Sequence, residues 1–364
     1  MGHVPAPPYS NRGAQNTDET YLSASVDWFQ CTFRNADLDD LIDDILRLQM
    51  RLFKPTFTTY FGYEYGVQYN NIMIFYNEDR EHYHVYMTGQ GCRAFEYYLE
   101  TDNSDWSKFF KKIYDQEDLD VNITRLDICI DDRKLYLSIP QLLRKVKRSE
   151  CISKFKVANV NQSISIADGA NKGHTLYFGS PQSRVRFRFY EKNYEQAHRL
   201  QKDVSEIGDW NRYECQMRDK QANNCAKQIA EHGNIEYVVK GVMFYYIRFI
   251  VDKKSWKGVN RSRQDIYKPY KNFLDGAEKL KITNQPELKS IDDKITWFKQ
   301  QLSNTLLMIQ KADEMATEQG LKENTDYLQD ILNSGMENPT NDNLIEHHLM
   351  GLKQKVMKFG ETDE

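Results

Sequence analysis

The segment Arg184-Val-Arg-Phe-Arg-Phe-Tyr-Glu-Lys192 alternates so regularly that a β-strand is the conformation that fits it. A two-residue period sends Val185, Phe187 and Phe189 to one face, and Arg184, Arg186, Arg188, Tyr190 and Lys192 to the other. The apolar face belongs to a core. The opposite face suits phosphate oxygens, because guanidinium groups bind them bidentately and stay charged. A tyrosine among such cations can attack a phosphodiester, since nearby positive charge favours the phenolate. The bland alternative is a tyrosine that packs at a strand end.

Two further segments repeat the pattern with carboxylates. In Thr124-Arg-Leu-Asp-Ile-Cys-Ile-Asp-Asp132, Arg125, Asp127, Cys129 and Asp131 share one face, opposite Leu126, Ile128 and Ile130. Aligned carboxylates need a positive partner, either a divalent cation with oxygen ligands or the plentiful arginines. In Trp210-Asn-Arg-Tyr-Glu-Cys-Gln-Met-Arg218, Arg212, Glu214, Gln216 and Arg218 share a face. Glu214 is thus either a third ligand beside Asp127 and Asp131 or one rung of an ion-pair ladder. A rival metal site is His82-Tyr-His84, two histidines on one strand face.

The patterning predicts strands at 26–33, 56–65, 67–76, 82–88, 122–131, 163–166, 174–178, 184–191 and 210–218. It predicts helices at 38–52, 92–99 and 139–146, and another after 191. The fold class is therefore α+β, a mostly antiparallel sheet with flanking helices, and the order of elements suggests two duplicated strand-helix-strands-helix halves. Residues 1–20, rich in Pro, Asn, Ser and Gly, are expected to form a flexible tail. Residues 21–283 form the main domain. Residues 284–364 form an acidic helical region, with apolar stripes at Ile291, Ile295, Phe298, Leu302, Leu306 and Ile309 and at Ile345, Leu349, Leu352, Val356 and Phe359.

Charge is distributed unevenly. The net charge of -4 argues against a nucleic-acid binder, yet Lys240–Lys281 holds 11 Lys/Arg against 4 Asp/Glu, and Asn284–Glu364 holds 8 against 15. Within the basic stretch, Lys253, Lys254, Trp256, Lys257, Arg261 and Arg263 interleave cations with an aromatic ring, a composition suited to gripping a nucleic-acid backbone and stacking on bases. No run of eighteen apolar residues and no signal-peptide pattern occurs, so no membrane insertion and a cytoplasmic location are expected. Six cysteines without a C-x-x-C pair fit reduced, buried thiols.

Arg125-Leu-Asp-Ile-Cys-Ile-Asp-Asp132, Leu176-Tyr-Phe-Gly-Ser180, Arg188-Phe-Tyr-Glu-Lys-Asn-Tyr-Glu-Gln196 and Trp210-Asn-Arg-Tyr-Glu214 together resemble the trans-acting rolling-circle replication initiators. More narrowly, they resemble the NicK-like MOB-T relaxases of integrative and conjugative elements. The resemblance runs from about Val26 to Phe249 and includes Thr88-Gly-Gln-Gly-Cys-Arg93 and Ser138-Ile-Pro-Gln-Leu-Leu143. It implies site- and strand-specific cleavage of an origin, leaving a 5'-phosphotyrosyl linkage and a free 3'-hydroxyl. It selects Tyr190 over Tyr194 as nucleophile, with Arg186, Arg188 and Lys192 around it, and Asp127, Asp131 and Glu214 as ligands of Mg2+ or Mn2+. Arg184, Arg212 and Arg218, on the polar strand faces, are expected as DNA contacts, and the expected partners are an origin of transfer, single-stranded or hairpin at the nick, a helicase and a conjugative coupling protein. The alternatives are a plasmid rolling-circle initiator and, less favoured, a DNA-binding regulator that cuts nothing.

Overall fold

The computed structural model describes residues 22–79, 82–251, 260, 263–280 and 282, then 303–319, 327–333 and isolated positions between 291 and 349. The tail 1–20, the basic residues Lys253, Lys254, Trp256, Lys257 and Arg261, and most of both C-terminal stripes lie outside the described residues. The chain divides into two compact units, Met1–Asn284 and Gln285–Glu364. In the second, Ser303–Glu318 and Tyr327–Asn333 are helical.

Alternating sequences build the first unit. Its strands are β1 (Leu22–Arg34), β2 (Lys54–Pro55), β3 (Tyr65–Tyr69), β4 (Ile72–Tyr76), β5 (His82–Met87), β6 (Asp120–Asp132), β7 (Cys151–Ser153), β8 (Ala158–Ile164), β9 (Asn171–Phe178), β10 (Val185–Glu191), β11 (Asn211–Arg218) and β12 (Ile247–Phe249). Ten of them form one antiparallel sheet in the order β2-β3-β4-β5-β1-β6-β11-β10-β9-β8, and β12 pairs with β7 apart from it. β1 and β6 are the spine, in register from Leu22↔Asp132 to Arg34↔Asp120.

Two strand sets flank this spine with one connectivity. On each side the last strand of the half returns beside its first, β5 beside β1 and β11 beside β6. The suggested duplication thus has a counterpart in topology, and the α+β class with a large antiparallel sheet is what the chain forms.

Helices flank the sheet. They are α1 (Gly89–Thr101), α2 (Trp106–Asp115), α3 (Ile139–Lys147), α4 (Lys192–Leu200), α5 (Val204–Ile207), α6 (Lys220–His232), α7 (Ile235–Tyr246) and α8 (Lys268–Leu274). Phe29 of β1 meets Trp106, Phe109 and Phe110 of α2 with ring centroids 5.5 to 6.0 Å apart. Phe29, Ile128, Tyr213, Cys215, Phe187 and Phe189 join the buried residues of α6 and α7 in one continuous core. Burial of this apolar surface is the main driving force for the fold.

Three expectations fail for local reasons. The helix at 38–52 is a short π-type turn, Asp40–Ile45, followed by a 3-10 turn, Met50–Leu52. Asp37, Asp39, Asp40, Asp43 and Asp44 repel one another at helical spacing, and Arg47 takes a positive φ of 55° that stops the helix. The strand at 67–76 is a hairpin, β3 and β4, because Asn70 and Asn71 both adopt positive φ, the conformation a two-residue hairpin turn requires. The stretch 56–64 is irregular rather than a strand. Helices α2, α5, α6, α7 and α8 have no counterpart among the expected helices. Among the described residues no helix is long and apolar enough to cross a membrane.

Candidate active site

The open face of the sheet carries the polar residues of β10, β11, β6 and β1 side by side. Register sets Arg186↔Gln216, Arg188↔Glu214 and Tyr190↔Arg212 between β10 and β11. It sets Arg212↔Asp131, Glu214↔Cys129, Gln216↔Asp127 and Arg218↔Arg125 between β11 and β6. Thus the alternation of three separate segments places Tyr190, Glu214, Asp127, Asp131 and their arginines on one surface.

Tyr190 is only 2% exposed. Its hydroxyl donates to Glu214 Oε1 at 2.7 Å, and the Arg188 guanidinium lies 3.9 Å from its ring centroid. Arg188 also reaches Glu214 at 3.5 Å and Glu195 of α4 at 3.4 Å. Lys192, buried at the start of α4, pairs with Glu195 and stands 5.3 Å from the Tyr190 ring. Cations surround the tyrosine as expected, but they do not favour its phenolate. Burial, and then the Glu214 carboxylate, push the Tyr190 pKa well above the ordinary phenol value, outweighing Arg212 and Arg188. Deprotonation therefore needs a base, and Glu214 already holds that proton's hydrogen bond. Burial and the nearby Asp27 raise the Glu214 pKa against the opposing pull of Arg188.

The predicted ligand set is not assembled. Asp131 is buried, and Arg212 grips both its oxygens at 2.6 and 2.7 Å while Trp210 Nε1 donates to one at 2.6 Å. Both Asp131 and Arg212 are thereby spent on a structural ion pair, so neither Asp131 as ligand nor Arg212 as DNA contact fits this arrangement. Asp127 is held by Arg125 at 3.0 and 2.6 Å. Its pKa rises to about 6, chiefly through burial, with Glu214 and Asp27 adding to the rise and Arg125 opposing it. Among the described residues no three His, Cys, Asp or Glu side chains stand close enough to hold a metal ion.

Asp27 was missed in the sequence. It occupies the β-bulge between Val26 and Trp28 in β1 and lies 3.3 Å from Arg212 Nη1. A lone acid in the apolar run Val26-Asp-Trp-Phe29 was the available signal. Excess negative charge gathers here, because the fields of Asp27 and Glu214 both act on Asp127.

The cations distribute differently from their even spacing in sequence. The Arg186 guanidinium stacks over Tyr177 at 4.4 Å, and Arg125 over Trp28 at 3.9 Å. The Nε atoms of Arg186, Arg188 and Arg218 are buried without a hydrogen-bond partner. Arg184 precedes β10 and Arg263 lies within the basic segment, both exposed. Tyr194 is half-buried on the first turn of α4, so it does not share a helix with Tyr190, which ends a strand.

His82 and His84 lie on one face of β5, as alternation requires, four strands from Tyr190. His84 Nδ1 is 3.0 Å from Thr32 Oγ1, and burial with His82 lowers its pKa to about 4.

Two family models match the chain. One, described as the rolling circle replication initiation protein N-terminal domain, covers residues 23–112, and one described as the replication initiation factor covers residues 121–332. The boundary between them falls where β6 begins, at the join of the two sheet halves. A protein of Bacillus subtilis (strain 168) named "Putative DNA relaxase NicK" is 30% identical over 327 residues, covering 86% of this chain and 90% of its own length. The solved rolling circle replication initiator protein from Geobacillus stearothermophilus is 34% identical, with a TM-score of 0.60, and covers 72% of this chain and 99% of its own. The family model over residues 121–332 and a relative 30% identical across most of both chains agree, and the chain belongs to the replication initiation factor family of rolling-circle initiators and relaxases.

Proposed function

We propose that this protein nicks one strand of DNA at an origin, with Tyr190 as nucleophile. The observation that carries the reading is the 2.7 Å hydrogen bond from the Tyr190 hydroxyl to Glu214 beneath a face of arginines. In the proposed step Glu214 takes the phenolic proton as the Tyr190 oxygen bonds to phosphorus. The bond from phosphorus to the 3'-oxygen breaks, and that oxygen receives the proton, leaving a free 3'-hydroxyl and a 5'-phosphotyrosyl strand. Arg188, Arg186 and Arg218, on the same sheet face, would balance the charge of the phosphate, Arg188 after leaving Glu195. Tyr190 is buried, so α4 and Arg188 must give way for DNA to reach it.

A divalent cation, Mg2+ or Mn2+, would be held by Asp127 and Glu214, two buried carboxylates of raised proton affinity, with phosphate oxygens of the DNA supplying further ligands, since no third acidic side chain among the described residues stands close enough; Asp131, whose oxygens are taken, does not suit it. When bound it would polarise a phosphate oxygen. The histidines of β5 are the weaker candidate, since His84 is already committed to Thr32.

The relaxase reading, cleavage at an origin of transfer that starts conjugative transfer with a helicase and coupling protein, is favoured over the plasmid initiator. The match to the B. subtilis protein spans 86% of this chain, whereas the initiator reaches 72% with 99% of its own length used. The test is to incubate the protein with supercoiled DNA carrying sequence from around its own gene, with Mg2+ or Mn2+. We expect an SDS-resistant protein-DNA adduct that Tyr190→Phe removes. Stable DNA binding with no nick under either ion would establish a non-catalytic binder instead.

A further inference from the structure

The half of the sheet opposite the arginines carries aromatic rings on the same open face. Trp28 stands directly across from Asp127, and its ring meets Tyr86 at 5.5 Å. Tyr86 meets Tyr60 at 5.6 Å, and Tyr60 meets Phe61 at 6.1 Å. The chain of rings starts at the carboxylate cluster, beneath the Arg125 guanidinium, and runs across β1, β5 and the 56–64 segment. Its outer members are uncovered: Tyr60 is 45% exposed and Phe61 63%. Apolar rings left in water on one surface mark a binding site.

The arrangement is built rather than incidental. Phe61 adopts φ +61°, a conformation unfavourable for a bulky residue, followed by Gly62 at +82°, and Tyr63 N–H donates to Tyr60 O at 3.2 Å to close the turn. This turn turns Phe61 outward over His84 at 5.2 Å. Beneath it Phe75 lies across β3, where a Cβ on Gly66 would come within 2.8 Å of its ring. Trp28 Nε1 and His84 Nε2 are buried in this cluster without hydrogen-bond partners, although every ring around them is packed.

We propose that this surface is a stacking platform for single-stranded DNA, guiding the strand that enters or leaves Tyr190; this rests on the nicking reading. Aromatic rings hold single strands because unpaired bases expose their faces, while the bases of a duplex are already stacked on one another. Continuity with the arginine face, through Arg125 over Trp28, favours nucleic acid over a protein partner.

The test measures binding of the full chain to a fluorescein-labelled 20-nucleotide oligothymidine and to a duplex of the same length. Replacing Tyr60 and Phe61 together by Ala should weaken single-strand binding about ten-fold or more, at roughly 1–3 kcal/mol per stacked base, and leave duplex binding unchanged. Phe61→Trp should retain it. A 2-aminopurine placed in the oligonucleotide should be quenched by wild type and less by Phe61→Ala, a side chain exposed enough for its loss to leave the thermal transition unmoved. Single-strand affinity unchanged in the double variant, or equal loss on duplex, would overturn the platform. Tyr190→Phe should bind the oligonucleotide normally; a wild-type protein that binds it but forms no adduct on supercoiled DNA carrying sequence from around its own gene contradicts the nicking reading and leaves the platform standing.

Discussion

The two halves of the sheet share a connectivity and differ in what they place on the open face. Around β6, β11 and β10 that face holds Tyr190, three arginines with partnerless Nε atoms, and carboxylates of raised pKa. Around β1, β5 and β4 it holds Trp28, Tyr86 and His84, overlain by Tyr60, Tyr63 and Phe61. One half is ionic, the other aromatic. Because both are anchored on the same core, the fold itself demands neither set, and the difference reflects what each surface meets. The seam between them is the β1–β6 pair, where Asp27 and Asp127 sit.

The largest effect expected in the ionic half is at Tyr190. Tyr190→Phe should remove covalent adduct entirely while keeping DNA binding, and Tyr194→Phe should form adduct at nearly the wild-type rate, both read on denaturing gels. Glu214→Gln should come next, slowing adduct formation by about 10²–10⁴-fold, the usual worth of a positioned base. The comparison would break if Glu214→Gln cut at the wild-type rate, since the hydrogen bond to Tyr190 would then be structural.

Acidity should act on the same carboxylates. Burial raises the Asp127 pKa to about 6 and lifts that of Glu214 above its ordinary value, so both gain protons more readily as pH falls, and a protonated Glu214 cannot take the proton of Tyr190. The rate of adduct formation should therefore fall as pH drops into the range where these carboxylates gain protons, and level off above it. A rate rising towards acid would count against Glu214 as base. The sign for stability is opposite: Asp127 contributes to folding below its unfolded value and that contribution is lost as pH rises through about 6.

Arg212→Met should act on stability instead of chemistry. It strands buried Asp131, a loss of roughly 3–5 kcal/mol for a broken buried pair, visible as a lowered Tm. The smallest effect is expected from Arg186→Ala, which should weaken binding mildly and lower the salt slope by about one, because it removes one phosphate contact.

Alternation made the site's face legible. It placed Tyr190 with Arg186 and Arg188, Glu214 with Arg212, and Asp127 with Asp131, and each set shares a face in the structure. It could not say which charge meets which. Asp131 looks equivalent to Asp127 in sequence, yet register sets it opposite Arg212, which closes both its oxygens. The tyrosine likewise reaches Glu214 diagonally, past its direct neighbour Arg212. Asp27 escaped notice because a bulge, not alternation, turns it to this face. Helix α7 leaves no helical signal in the sequence because it is buried nearly all round and so lacks a polar stripe.

The central claim is that the Tyr190 oxygen carries the DNA. Digesting the covalent adduct with trypsin and nuclease and sequencing the modified peptide by mass spectrometry tests it directly. The account predicts a nucleotide phosphate on Tyr190 in the peptide containing Phe189-Tyr-Glu-Lys192. A modification on Tyr194, or on any residue outside that peptide, would contradict it.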